Sequence, residues 1–270
     1  ASRLNTGTMM STPATLRKHT LASKKHAALA RFDTTPQGTS GWWKRRSNKF
    51  SGSKIANICF LKTQDERQLY WQEVFGLRPR PPLDEEALAR CKYGKDHEDD
   101  GVHNLLHHVP SMQMWEVGFE MHEQHPDWFG SSPDGVIFDP TLEPQWGALE
   151  IKCSTKKNDK GVSVPHAGIP YYYMGQMFAE MKCMPLPQQA KWNIFVSWSE
   201  SKCKCYRVDW DDTYWNLLWD VIVDFTCNES SWDAFKVKRD AMVEASKEMC
   251  ARATPYHPKG GFITVPRDHE

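Results

Sequence analysis

The chain reads as an α/β domain: a mixed central sheet with helices packed on its flanks. Residues 51–109 carry helical periodicity, the middle of the chain alternates like strands, and helical patterns return at 171–184 and after 211. At 270 residues, with 40% hydrophobic and 12% aromatic residues, it can bury a full core, and its composition excludes a disordered chain. The 34 Lys and Arg balance the 34 Asp and Glu, which excludes a polybasic protein but leaves room for a local basic groove. No apolar run approaches the ~20 residues of a membrane span, so no membrane partner is expected. The eight cysteines show neither the C-x-x-C pairs of a zinc site nor the density of a disulfide scaffold. They read as free thiols of an intracellular, reducing compartment.

Residues 1–40 read as a basic, flexible leader, rich in Ser and Thr and closed by Pro and Gly, and 41–270 as a single domain ending in helices. "SGSKIANICFL" (51–61) opens with Ser and Gly before an apolar-periodic stretch, which predicts a capped helix. "QDERQLYWQEVFG" (64–76) places Leu69, Trp71, Val74 and Phe75 on a helical stripe and stops at Gly76. "RPRPPLD" breaks the chain with prolines, and 84–109 predicts a long polar helix. "WEVGFEMH" and "WFGSSPDGVIFD" read as strands, with "DPTLEPQWG" as the turn before the strand "ALEIKCS". A helix over 171–184, the strands "KWNIFVSW" and "KCKCYRVDW", and one or two closing helices from Asp211 to about Cys250 complete the order.

The chemistry concentrates in the middle hairpin. With Asp139 to Gly147 as the turn, Phe138 lies beside Ala148, Val136 beside Glu150 and Asp134 beside Lys152. The two-residue period puts Glu150 and Lys152 on one face of the second strand and Ile151 on the other. Asp134, Glu150 and Lys152 then converge at one end of the hairpin. Two carboxylates a few Å apart repel unless a cation lies between them, and hard oxygen ligands with room for water suit Mg²⁺ or Mn²⁺. A metal beside a lysine can activate water against a phosphodiester. The competing reading is a surface hairpin with an ordinary ion pair. Against it, both carboxylates interrupt apolar strands, where charge is expensive without a task.

These residues carry a resemblance. "SSPDGVIFD…GALEIKCS" resembles the core of the PD-(D/E)XK nuclease superfamily, and specifically the lambda-type (YqaJ-like) viral recombination exonucleases. Three more blocks follow that family's order. "WWKRRSNKFSGSKIA" resembles a motif in which an Arg precedes a Ser by seven, here Arg46 and Ser53. "YGKDHEDDG" resembles a segment in which a Gly precedes a helical Glu by four, here Gly94 and Glu98. "YYMGQMFAEM" resembles a helix with a Tyr-x-x-Gln core, here Tyr173 and Gln176; Phe178 stands where the family often has a second polar residue. The resemblance implies a restriction-endonuclease-like core with a mixed sheet flanked by helices.

It also implies roles. Asp134 and Glu150 would be metal ligands, joined by the Ile151 carbonyl, with Glu98 completing the acidic site and two Mg²⁺ ions (Mn²⁺ substituting) as cofactor. Lys152 would orient or deprotonate the attacking water, and Gln176 would hold the lysine or the water. Arg46 and Ser53 would receive a 5′-terminal phosphate, with Lys44 and Arg45 as alternatives beside them. Weaker candidates for DNA contact are Trp42, Trp43, Lys156, Lys157 and Tyr173, each with a bland alternative as packing or as solvated charge. His103 and His107 stand four apart but lack a third zinc ligand at a motif spacing. The implied activity is metal-dependent 5′→3′ exonucleolytic digestion of double-stranded DNA ends, leaving single strands for recombination or repair. An endonuclease or alkaline-nuclease type of the same superfamily is the nearest alternative, and a DNA-binding module on a nuclease fold is the non-enzymatic one. A single-strand annealing protein is the expected partner, a homotrimer or monomer the expected assembly, and the nucleus or a viral replication site the expected location in a eukaryotic setting.

Overall fold

The computed structural model describes residues 26–186, 189–256 and 261–266. The leader expected over 1–40 lies outside the described residues as far as residue 25. From His26 onward the expectation needs correcting, because the chain is packed. A 3-10 turn at Ala27–Arg31 buries Leu29, and Phe32 joins the same core. Asp33 Oδ2 accepts the Phe119 N–H at 3.0 Å, while the Asp33 N–H donates to Glu120 at 2.9 Å.

Helix α1 (Ser40–Arg46) starts where the Thr39 side chain accepts the Trp42 N–H. The helix expected over 51–61 is instead a two-residue strand β1 (Phe50–Ser51), a 3-10 turn and the four-residue helix α2 (Ile55–Ile58). Helix α3 (Gln64–Val74) is capped by Thr63, and Gly76 ends the segment at φ +73°, a conformation that suits glycine. Helix α4 (Glu85–His108) fills the stretch expected as a long helix over 84–109 and is capped by Asp84.

The two strand-like stretches of the middle are each divided between sheets. "WEVGFEMH" supplies the end of β2 (Gln113–Trp115) and all of β3 (Glu120–Met121). "WFGSSPDGVIFD" supplies β4 (Phe129–Ser131) and β5 (Gly135–Phe138). Pro133, which has no N–H for a ladder, stands at the second break. Then come β6 (Trp146–Cys153), α5 (Met174–Cys183) after a 3-10 turn at Tyr171–Tyr173, β7 (Trp192–Trp198) and β8 (Lys202–Asp209). Helices α6 (Asp212–Cys227) and α7 (Trp232–Arg252) and the short β9 (Thr254–Pro255) and β10 (Phe262–Ile263) follow.

The main sheet runs β10-β8-β7-β6-β5-β2, with β9 also paired to β8. Only β6 and β7 pair in parallel in this sheet, so it is mixed. A second sheet, β1-β4-β3, holds β1 parallel to β4. Alternation in the central strands feeds two cores. Leu149, Ile151, Ile194 and Val196 pack under α4 through Val102 and Leu105. Ala148, Phe195 and Val208 pack on the opposite face with Met177 of α5, Leu218 and Ile222 of α6 and Phe235 of α7. Helix α4 crosses β6 closely at Gly101, where a Cβ would lie 2.7 Å from Ile151 Cγ2. All eight cysteines are free thiols. Among the described residues no helix is long and apolar enough to cross a membrane.

Candidate active site

The β5–β6 hairpin pairs Val136 with Ala148 and Gly135 with Leu149, two residues from the expected register. A slip of two keeps every side chain on its expected face. It brings Asp134 level with Glu150 and Ile151 rather than with Lys152. The Asp134 N–H donates to the Leu149 carbonyl at 3.0 Å, and Asp134 Oδ2 accepts the Ile151 N–H at 2.6 Å. Leu149 and Ile151 fill the core under α4, which turns Glu150 to the other face, where it is fully buried.

Around Glu150 the polar groups close in. The Lys152 ammonium pairs with Glu150 Oε1. The Gln176 amide of α5 donates to the same oxygen at 2.7 Å, so it holds the carboxylate rather than the lysine. Glu150 Oε2 is buried without a hydrogen-bond partner. Burial and then the Glu150 and Glu98 charges push the Asp134 carboxyl well above the ordinary carboxylate range, against the pull of Lys152 and the Ile151 N–H. Burial pulls the Lys152 ammonium towards losing its proton, but Glu150 and Asp134 outweigh it and raise the group above its ordinary value. Glu98 on α4 shares this field, since it also helps burial push the Cys153 thiol up to about 12.

One carboxylate escaped the sequence reading. Glu180, one helical turn beyond Gln176, is fully buried. It accepts from Gln176 at 2.9 Å and from Asn193 of β7 at 2.9 Å. Burial, then the Glu150 charge, raises its carboxyl well above the usual range. Its only mark in the sequence is an acid within the apolar helix "MGQMFAEM", where a charge is costly.

Among the described residues no three His, Cys, Asp or Glu side chains are gathered into a ready metal set. Glu98, Asp134 and Glu150 are neighbours in charge rather than a closed ligand shell. The donor chemistry still fits a hard divalent cation. Glu150 Oε2 lacks a partner, and Asp134 and Glu150 repel each other in a way that such an ion would relieve. The rings of His103 and His107 stack 6.0 Å apart on α4, and they join no such set either.

A cleft of about 530 Å³ is lined by Trp43, Arg46, Ser53, Lys54, Asn57, Arg80 and one carboxylate, Glu73, among others. Arg46 hydrogen-bonds the Ser53 hydroxyl. Burial and then Arg80 lower Arg46 to about 10. Burial, then Arg80 and Arg46, lower Lys54 to about 7. Burial and mutual repulsion weaken the hold of Arg46 and Lys54 on their protons, and a phosphate in the cleft would offset both. Lys54 and Arg80 were not foreseen; Arg80 lies in the proline-rich connection, whose sequence signals only turns. Gly52, next to Ser53 of the cleft, packs closely on β4 and α5, where a Cβ would crowd Ser131 and Ala179.

Two weaker candidates need correcting. Trp42 is buried, with its indole N–H given to Ser132 at 3.1 Å, so it has no face to offer a base. Arg45 is committed to Asp33, 3.1 Å away. Trp43 is exposed and lines the cleft, while Lys44, Lys156 and Lys157 are exposed and outside it. The Tyr173 ring lies 5.1 Å from the Lys152 ammonium.

Residues 41–185, more than half of the chain and spanning α1 through α5, match the family model described as YqaJ-like viral recombinase domain. No curated protein matches the chain. Among solved structures, an alkaline exonuclease (LHK-Exo) from Laribacter hongkongensis is similar, with a TM-score of 0.50 and 21% identity over 79% of this chain and 99% of that one. LHK-Exo in complex with dAMP gives a TM-score of 0.49 and 22% identity over the same shares. At such identity the first of these is a likeness of fold alone, a mixed sheet flanked by helices.

Proposed function

The chain belongs to the YqaJ-like viral recombinase domain family, and from that premise we propose that it is a metal-dependent DNA exonuclease digesting duplex ends 5′→3′. The observation that carries this reading is the cluster at the hairpin: Asp134 beside Glu150, Lys152 and Gln176 on one Glu150 oxygen, and the other oxygen buried without a partner. Asp134, Glu150 and the Ile151 carbonyl would hold Mg²⁺ or Mn²⁺, with Glu98 on the side of a second ion. The cation would supply Lewis acidity to the scissile phosphodiester.

The chain's own groups divide the remaining work. Lys152 stays protonated between carboxylates, which favours orienting the attacking water and offsetting charge at phosphorus over removing a proton. Gln176 would fix the Glu150 carboxylate through Oε1 and leave Oε2 for the ion. Arg46, Ser53, Lys54 and Arg80 would take the 5′-terminal phosphate and set the polarity. The single strand left behind would pass to an annealing protein.

End-labelled linear duplex incubated with Mg²⁺ tests the proposal. Mononucleotides should leave from the 5′-phosphorylated end, covalently closed circles should stay intact, and Arg46→Ala should erase the preference for a 5′-phosphate over a 5′-hydroxyl. Intact linear duplex would refute the exonuclease, and cut circles would favour the endonuclease reading.

A further inference from the structure

We propose that Phe60 and Tyr172 form a stacking platform that holds an unpaired nucleobase of the substrate strand beside Lys152. The proposal rests on the nuclease reading of the Lys152 site and adds how that site grips its strand. Phe60 follows α2 and is 51% exposed, an unusual cost for a ring in a turn. It does not stand alone. Its centroid lies 5.3 Å from Tyr172 and 6.2 Å from Tyr171. Tyr172 lies 4.6 Å from Tyr173, whose ring in turn faces the Lys152 ammonium at 5.1 Å.

The result is a ladder of rings from solvent to the catalytic lysine. All three tyrosines are half-buried, so packing leaves part of each ring available. Both ends carry cations. Lys152, paired with Glu150, stands at the inner end, and at the outer end the exposed Lys247 ammonium, paired with Glu244 at 2.6 Å, is 5.7 Å from Tyr171. Rings between two cations suit a base flanked by its phosphodiesters better than an apolar peptide. Continuity supports the same occupant. Ser53, at the mouth of the anion cleft, and Phe60 lie on one short segment, 53–60, so phosphate grip and base grip are built on the same piece of chain.

The test is a cycle between protein and DNA. Binding of a fluorescent, 5′-phosphorylated duplex with a short single-stranded end is measured in EDTA, with single abasic nucleotides placed in turn at the first four positions of that end. Phe60→Ala should weaken binding of intact DNA roughly 5- to 100-fold, the range of one lost base–aromatic stack. Phe60→Trp should restore it. At one position the abasic site should cost the parent a similar factor and cost Phe60→Ala almost nothing more, because base and ring act as a pair. Tyr172→Ala should couple to the same position, and with Mg²⁺ both variants should lose more in KM than in kcat. Melting temperatures close to the parent's would set aside a folding defect. A parent that binds DNA but shows no coupled position overturns the platform while leaving the nuclease reading intact. So does a Phe60→Ala protein that changes its sedimentation instead, which would make the ladder a contact between copies of the chain. A parent that binds no DNA defeats the nuclease reading, and the platform with it.

Discussion

Asp134 and Lys152 flank the same Glu150 yet affect the stability of the metal-free protein in opposite directions. Asp134 is held above its ordinary range by burial and by neighbouring carboxylates, so its charge is a burden without a cation. Asp134→Asn keeps an oxygen for the Ile151 N–H and removes that repulsion. The metal-free variant should melt higher than the parent, while cleavage falls by at least ~100-fold. Lys152→Ala removes the cation paired with the fully buried Glu150 carboxylate. Leaving one partner of such a pair unpaired costs about 3–5 kcal/mol, so this variant should melt well below the parent in EDTA and also lose activity. Differential scanning calorimetry of the two variants checks both signs. Asp134, Glu150 and Lys152 were legible in the sequence because charge inside apolar strands is expensive. Glu180 was not, because nothing in a helical acid's sequence reveals that Gln176 and Asn193 will meet it in the core.

At the scale of elements, α4 lies against β6 only because position 101 has no side chain. Gly101→Val would drive a branched carbon into Ile151 Cγ2, itself a β-branched group with little freedom to turn. Overpacking of this kind costs about 1–3 kcal/mol, which exceeds what the better helix propensity of Val returns. Stability should fall, and activity should fall further, since Glu98 sits one turn away on the displaced helix. A second junction joins the 26–46 flank to β3 through Glu120. Burial first, and the nearby Asp33 charge, raise Glu120 to about 8 against the Asp33 N–H and Arg45. A carboxyl raised in the fold contributes stability that is complete below its unfolded pKa of about 4.5 and is lost as pH climbs through about 8. Glu120→Gln should therefore flatten the decline in melting temperature between about pH 5 and pH 8. Most element types were legible from period: the helices expected over 64–76 and 84–109 form at Gln64–Val74 and Glu85–His108. The division of two strand-like stretches between sheets was not, because period two says which face a residue takes and nothing about which sheet receives it. The hairpin register slipped by two for the same reason, and the candidate site survived because the faces did.

Over the whole molecule, the site joins two cores that share little else. Glu98 rides on α4, packed on one face of the sheet, while Glu150 and its partners Gln176 and Glu180 lie on the other. Asp134 stands at the break between the two sheets. A divalent ion held there would tie α4, the hairpin and α5 into one unit, and would bind the folded chain far better than the unfolded one. Ligand at 100 times its Kd adds about 2.7 kcal/mol, which for a domain of this size corresponds to roughly 5–10 °C. Saturating Mg²⁺ should raise the melting temperature of the parent by that order, and EDTA should reverse it. Lys152 would compete with such an ion for Glu150, so Lys152→Ala, although weaker without metal, should gain more from Mg²⁺ than the parent does. Asp134→Asn should gain almost nothing. Melts of the three proteins across a Mg²⁺ titration give that order directly, without cleavage being measured. A Mg²⁺ response in Asp134→Asn equal to the parent's would place the cation elsewhere on the molecule.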